Sequence, residues 1–495
     1  MRILLVKPYV RLNSILGLER FQRLEPLELG YVAAALPAEH EVRVLDLRLG
    51  RNPGRVFART LSKFKPDLVG FTAYSHEAGV MKTLAAEARR LLPHVKTLVG
   101  GHHATVAAAD CNLPAIDYII RGEGCAPFRE LVAALARGQE PAPSASLVLS
   151  GPRFDAASAA VWPRWPDPAA MPTPRRDLWD YRNYYCVWLT EHPQNWQVLF
   201  PRVAMVRTSY GCKMKCDFCI VPYLCNGEHR PRPVDAVVDE LAAIPAAHIY
   251  FADDENFINE AHGYALAEAI ARRGIRKRYF AWTRSTTILR SPDLLRRWRA
   301  IGLDAVFLGF EYPTDEQLRA AQKGATVAAN EKAQSMLREM GIACHIGFMV
   351  KPEDTAADFQ RLRDYVSKLE PAQFSFNVYA PSPGTPGFQT ARPHIWVADP
   401  YRLLDFTHPL TPTRLPLKEF FAEYATLYAH GSARNPHRVR RHPIRPWELL
   451  KVLLAERRYS SNFRHNHADY PQELWDWPGG DQSNGWAGDS ESRAK

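Results

Sequence analysis

What this chain of 495 residues lacks narrows it first. No apolar run approaches the roughly 18–20 residues that cross a bilayer, so no membrane-spanning helix is expected. The start, Met1-Arg2-Ile3-Leu4-Leu5-Val6-Lys7-Pro8, has neither the longer apolar region nor the small-residue cleavage site of a signal peptide; it reads as a buried strand, and the expected location is cytoplasmic. Eight cysteines are few for this length, and five of them (Cys111, Cys125, Cys186, Cys225 and Cys344) follow no framework spacing, so disulfides are not expected and a reducing compartment suits them. No G-x-G-x-x-G follows the first apolar run, which disfavours a dinucleotide. Internal repeats and low-complexity tracts are also missing.

What is present describes a globular chain of two or three domains: 46% hydrophobic residues, 23% charged, and enough length for ample cores. The net charge is +10, and arginines gather late, at Arg434, Arg438, Arg440, Arg441 and Arg445. Such a balance draws acidic partners, anionic lipid headgroups among them; scattered arginines more commonly form a solvated face, and a nucleic-acid partner is not expected.

From residue 1 to about 140, short apolar runs alternate with helical patterns, the mark of a parallel sheet covered on both faces. Strands are expected at Ile3–Val6, Glu41–Leu45, Leu68–Thr72, Lys96–Val99 and Tyr118–Ile120, giving a five-stranded, doubly wound (Rossmann-like) α/β domain. Such sheets bind ligands at the carboxyl ends of their strands. Those ends carry Thr72 and Ser75, Gly100-Gly101-His102-His103, and Gly122-Glu123, where glycines let backbone approach a large flat ligand.

Eight prolines between Pro141 and Pro174 break periodicity over 141–200, so this stretch reads as a linker. Its aromatic residues, Trp162, Trp165, Trp179, Trp188 and Trp196 among them, are too many for a free tether and predict packing between domains. From 201 to 388, six strand-like segments alternate with helices, predicting a partial (β/α)6 barrel of TIM type with Asp253, Asp254, Arg284, Glu311 and Asn377 at the ends that carry chemistry. Residues 389–495 read as a mainly helical extension, with patches at Lys418–Ala429 and Trp447–Arg457 and a frayed tail from Gly479 to Lys495.

The first barrel strand runs straight into Cys212-Lys213-Met214-Lys215-Cys216-Asp217-Phe218-Cys219, a C-x3-C-x2-C motif. Three thiolates so close can hold three irons of a cubane cluster and leave a fourth iron open to reaction. Zinc is the competing reading, with Cys225 or His229 as fourth ligand; two ligand pairs are the usual zinc arrangement, and a strand–loop setting within a barrel is not.

The cysteine motif, with the barrel behind it, resembles the radical S-adenosylmethionine (SAM) superfamily, and V-G-F-T-A-Y-S, V-G-G-H-H-A-T and I-I-R-G-E-G in the first domain resemble the cobalamin-binding domain that precedes many such enzymes. The resemblance implies a [4Fe-4S] cluster on Cys212, Cys216 and Cys219, with SAM on its fourth iron. It also implies an aromatic residue near adenine at Phe218, the SAM amino group at Asp253 or Asp254 (although the family's glycine-rich version of that motif is missing), the SAM carboxylate at Arg284 and the ribose at Glu311. The D-x-H-x-x-G motif that supplies a histidine to cobalt elsewhere is absent, which implies cobalamin without a protein ligand, held near Thr72, Ser75, Gly100, Gly101, His102, Gly122 and Glu123.

The two domains in tandem resemble the cobalamin-dependent radical SAM methyltransferases. That family implies two SAM molecules, one as methyl source by way of cobalamin and one as source of a radical that removes substrate hydrogen. Within it, Arg11–Glu19, Leu24–Leu29 and Leu415–Phe421 look like the hopanoid methylases acting at carbon 3, which implies a small-molecule or lipid substrate, an electron donor such as flavodoxin or ferredoxin, and peripheral contact with a membrane. Two rival readings stay open: a radical cyclase or rearrangement enzyme without methyl transfer, and a non-catalytic carrier of cobalamin or cluster.

Overall fold

The computed structural model describes residues 1–10, 21–191, 199–433 and 446–476. The run Arg11–Glu19, Trp196, the five arginines between Arg434 and Arg445, and the tail from Gly479 lie outside the described residues.

The first sheet comprises β1 (Arg2–Lys7), β2 (Glu41–Asp46), β3 (Leu68–Thr72), β4 (Lys96–Gly100), β5 (Tyr118–Ile120) and β6 (Leu147–Leu149), in the order β2-β1-β3-β4-β5-β6. Continuous apolar strands are what a sheet buried on both faces requires. Alternate side chains divide accordingly: Leu4, Val6, Val69, Phe71 and Val99 enter one core, while Ile3, Leu5, Leu68 and Leu98 enter another on the opposite face. The expected count of five strands is corrected to six, because β6 pairs antiparallel with β5. Its three residues come from the stretch assigned to the linker, between Pro143 and Pro152, and an antiparallel edge needs no crossover helix.

The second sheet comprises β7 (Val203–Val206), β8 (His248–Phe251), β9 (Arg278–Thr283), β10 (Leu303–Glu311), β11 (Ala343–Val350) and β12 (Gln373–Val378), all parallel and in sequence order across the sheet. This is the expected six-unit partial barrel. Its helix-facing residues, such as Ile249, Tyr279, Val306, Ile346 and Phe376, form the largest core. The other face is aromatic. Tyr250 stacks on Phe280 at 4.9 Å, Trp282 meets Phe307 at 4.3 Å and Phe307 meets His345 at 5.0 Å between ring centroids. Gly347 makes room for this stack, since a Cβ there would sit 2.5 Å from the Phe307 ring.

The two sheets are tied through Glu25, which is buried. Its carboxylate accepts from the Met205 amide at 2.6 Å, the Trp179 indole at 2.8 Å and the Arg176 guanidinium. Arg176 also donates to Glu240 at 2.6 Å, and Arg232 donates to Glu240 at 2.8 Å and to the Tyr31 hydroxyl at 3.1 Å. Trp179 thus packs between the sheets, while Trp188 packs on the second sheet alone and donates to Asp304 at 2.9 Å.

The C-terminal region is helical where patches were expected, at Leu417–Ala433 and Pro446–Arg464. Phe420 packs on Phe359 of the helix Ala356–Leu369 at 5.5 Å, and Phe463 holds the later helix to the earlier one through Tyr424 and Tyr428, each at 4.9 Å.

Candidate active site

The cysteine loop leaves β7 through Ser209–Tyr210, which pairs antiparallel with Arg230–Pro231 and closes the loop into a hairpin. Gly211 opens the turn at φ +81°, and a Cβ there would collide with the Glu228 carbonyl and the Cys225 sulfur. Its amide donates to Asp254 at 2.9 Å, which ties the loop to the end of β8. Cys216 is buried, and Cys212 and Cys219 are half-buried. Burial raises the Cys212 thiol, and burial with the neighbouring thiols lifts Cys219 to about 12. The Cys225 thiol donates to the Val221 carbonyl at 2.8 Å. No three His, Cys, Asp or Glu side chains among the described residues converge on a single-ion site.

Asp253 and Asp254 have different tasks. Asp253 accepts from the Thr208 amide at 2.6 Å, from Ser209 Oγ at 2.7 Å and from Thr208 Oγ1, and burial lifts its carboxyl to about 6. It braces the strand end. Asp254 holds the loop and also faces a cavity. The next residue, Glu255, was missed from the sequence although it completes an Asp-Asp-Glu run past the strand. It accepts from Thr283 Oγ1 at 2.8 Å, its other oxygen is buried without a hydrogen bond, and burial lifts it to about 7.

Arg284 follows β9 and donates to the Cys216 sulfur at 3.3 Å and to the Lys323 carbonyl. Glu311 ends β10 at a register shift and takes φ +64°, an uncommon conformation for a side chain of its size. It pairs with Lys323 at 2.6 Å, and the Lys323 ammonium sits 5.8 Å from the Phe218 ring centroid. Phe218 packs beside Tyr312, Leu318 and Met349. Phe218, Arg284 and Glu311 therefore gather at the cysteine loop, joined by Lys323. No sequence pattern marked that lysine, which reaches the site from a loop after a short helix.

A cavity of about 480 Å³ lies between the two sheets. Thr72, Gly100, Gly101, His102, Gly122 and Glu123 line it from the first sheet; Met205, Arg207, Tyr210, Gly211 and Asp254 line it from the second, with Trp165 of the linker. Gly101 takes φ +88° and opens the short helix Gly101–Val106, which carries His102 and His103. The two histidines part. His102 faces the cavity with Nδ1 buried and unbonded, and burial lowers its pKa to about 4, so the ring is neutral. His103 turns away to Ser75 at 3.3 Å and Asp110 at 2.8 Å. Ser75 is thereby corrected: it braces His103 and does not line the cavity. Tyr74, its neighbour, does line it, with Lys7 4.7 Å from its ring.

The residues fit the groups expected of them. Three thiols share one loop, an orphaned carboxylate oxygen and two cations lie beside it, and across the cavity an orphaned imidazole nitrogen stands among glycines.

Comparisons with known proteins agree with this layout. The B12 binding domain model matches residues 13–132 and the radical SAM superfamily model matches residues 206–366. Over 411 residues the chain is 32% identical to the hopanoid C-3 methylase of Methylococcus capsulatus, covering 81% of this chain and 75% of that one. It is 27% identical to the anaerobic magnesium-protoporphyrin IX monomethyl ester cyclase of Cereibacter sphaeroides, over 71% of this chain and 57% of the cyclase. Among solved structures, the radical SAM methyltransferase TsrM from Kitasatospora setae, with cobalamin and a [4Fe-4S] cluster bound, matches with a TM-score of 0.63 at 19% identity, covering 95% of this chain and 99% of that one.

Proposed function

This chain belongs to the cobalamin-binding radical SAM methyltransferases, and from that premise we propose that it methylates an unactivated carbon of an apolar substrate, a hopanoid at carbon 3. The aromatic inner face of the barrel carries the reading: Tyr250, Phe280, Trp282 and Phe307 form an apolar cluster that packs with Met205, a residue of the cavity wall, and the relative with 32% identity is named for that reaction. Family membership sets aside the non-catalytic carrier.

When bound, the cluster with SAM supplies hydrogen abstraction and cobalamin supplies the methyl group. The chain's own residues hold and shield them. Cys212, Cys216 and Cys219 would hold three irons of the cluster, and Arg284 places positive charge against Cys216. Phe218, Asp254, Glu255 and Glu311 would hold SAM, with Lys323 fixing the Glu311 carboxylate. Thr72, Gly100, Gly101, His102, Gly122 and Glu123 would receive cobalamin, with the unbonded Nδ1 of neutral His102 available to it as a hydrogen-bonding group. Asp253 and Ser75 brace this frame from behind. Lys213 and Lys215, exposed on the cluster loop, meet an acidic electron donor such as flavodoxin or ferredoxin.

In this reading residues 1–140 form the cobalamin unit, with β6 lent to it by the linker 141–200; residues 201–388 form the radical SAM core and 389–495 an extension. The enzyme works in the cytoplasm, at the inner membrane face where such a lipid resides. Among the described residues no helix is long and apolar enough to cross a membrane.

Anaerobic incubation of the reconstituted enzyme with a hopanoid and methyl-labelled SAM tests the proposal. The expected product is one methylene heavier and carries the label. A rearranged product without label would favour the second reading, a cyclase, which the 27% identity to the magnesium-protoporphyrin cyclase supports. An unchanged hopanoid profile after gene deletion, in a host that makes methylated hopanoids, would sink the hopanoid assignment.

A further inference from the structure

Four of the eight large apolar side chains that stand exposed among the described residues sit on one helix, Pro446–Arg464. Trp447, Leu450, Leu453 and Leu454 are 52%, 57%, 51% and 56% exposed. At 100° per residue these positions share one stripe roughly 120° wide, over the first turns of the helix. The helix is anchored at its other end, where Phe463 is fully buried against Tyr424 and Tyr428. One turn past the stripe stand Arg457 and Arg458, both exposed. In the sequence, residues 434–445 leading into the helix add five arginines and no carboxylate.

We propose that this stripe is a docking surface for the headgroup–acyl boundary of an anionic lipid bilayer. An interfacial helix combines leucine and tryptophan on one face with arginine beside them, and it holds by apolar burial together with attraction to anionic lipid. Both halves are present here, since the apolar residues suit insertion and the flanking charge is of the sign that complements acidic headgroups. Tryptophan at the start of the stripe suits the interface, where one edge of the ring is apolar and the other wet. The surface serves the lipid-substrate reading above, yet it depends only on the exposed helix, so its test is separate from any assay of methylation.

The experiment is sedimentation of the full-length protein with vesicles of phosphatidylcholine, alone or mixed with phosphatidylglycerol. The wild type is expected to pellet with the mixed vesicles. The L450S/L454S variant is expected to lose about tenfold or more in partition, and R457E/R458E to lose binding to the mixed vesicles selectively, as added salt does. Formation of 5'-deoxyadenosine stays at the wild-type rate in both variants, which shows that they fold. Wild-type protein left in the supernatant, or L450S/L454S binding as well as wild type, would overturn the proposal. So would a dimer in analytical ultracentrifugation that L450S/L454S abolishes, because the stripe would then be covered by a second copy.

Discussion

Arg284 donates to the Cys216 sulfur at 3.3 Å while its other nitrogen donates to the Lys323 carbonyl. A cation is thereby fixed against one of the three cysteine sulfurs by a backbone contact outside the loop. Hydrogen bonds and charge at the sulfurs set the potential of an iron–sulfur centre.

Arg284→Gln should therefore keep the iron content but make the cluster harder to reduce. The expected outcome is a lower midpoint potential in an electron paramagnetic resonance titration and about a tenfold slower formation of 5'-deoxyadenosine. Loss of iron on purification would instead make Arg284 part of the scaffold.

At Gly101, φ is +88° and a Cβ would stand 2.6 Å from Thr72 Oγ1 and 3.1 Å from the Ala73 amide. Gly101→Ala should cost about 1–2 kcal/mol in stability and tilt the short helix that presents His102. Cobalamin retention, read from its visible absorbance, should fall, while SAM cleavage persists because the cysteine loop belongs to the other sheet. Full retention of cobalamin would remove Gly101 from the site.

Lys213 and Lys215 are exposed on the cluster loop, so their charge should matter to the electron donor alone. Lys213→Glu with Lys215→Glu is expected to raise the KM for flavodoxin about tenfold at low salt, an effect that salt erodes. Reduction by dithionite should be unchanged. Equal slowing with both reductants would mean that the lysines hold the loop.

His408 is fully buried, with Nδ1 2.9 Å from Asp405 and Nε2 3.4 Å from Asp469, and these carboxylates outweigh burial to raise its pKa to about 9. A histidine raised above its unfolded value of about 6.5 stabilises the fold fully below that pH and ceases to as pH climbs through the folded value. The melting temperature should fall between about pH 6.5 and 9, with on the order of 3 kcal/mol at stake. Asp405→Asn should lower the plateau and flatten the slope. An unaltered slope would place the titration elsewhere.

The sheets were legible because buried parallel strands write themselves as short apolar runs, as Ile3–Val6 and His248–Phe251 do. β6 was not, since three apolar residues inside a proline-rich stretch look like any loop. At the site, Cys212, Cys216 and Cys219 were readable from spacing alone, and Asp254, Arg284 and Glu311 from their place at strand ends. Lys323 reaches Glu311 over a turn with no periodic mark, and Glu255 hid behind two acids of equal standing in the sequence. His102 and His103 show a finer limit: adjacent residues in one helix diverge by about 100°, so only the structure sends one to the cavity and the other to Asp110.

The Glu25 knot has a consequence for how the chain acquires its shape. Each sheet assembles from neighbouring strand–helix units, but Glu25 meets Arg176, Trp179 and Met205 across 151, 154 and 180 residues of sequence. Contacts that distant carry the greatest loop-closure cost and form after local ones. Docking of the two halves is thus the last event of folding, and slowed exchange of the Met205 amide marks the moment the cavity comes into existence.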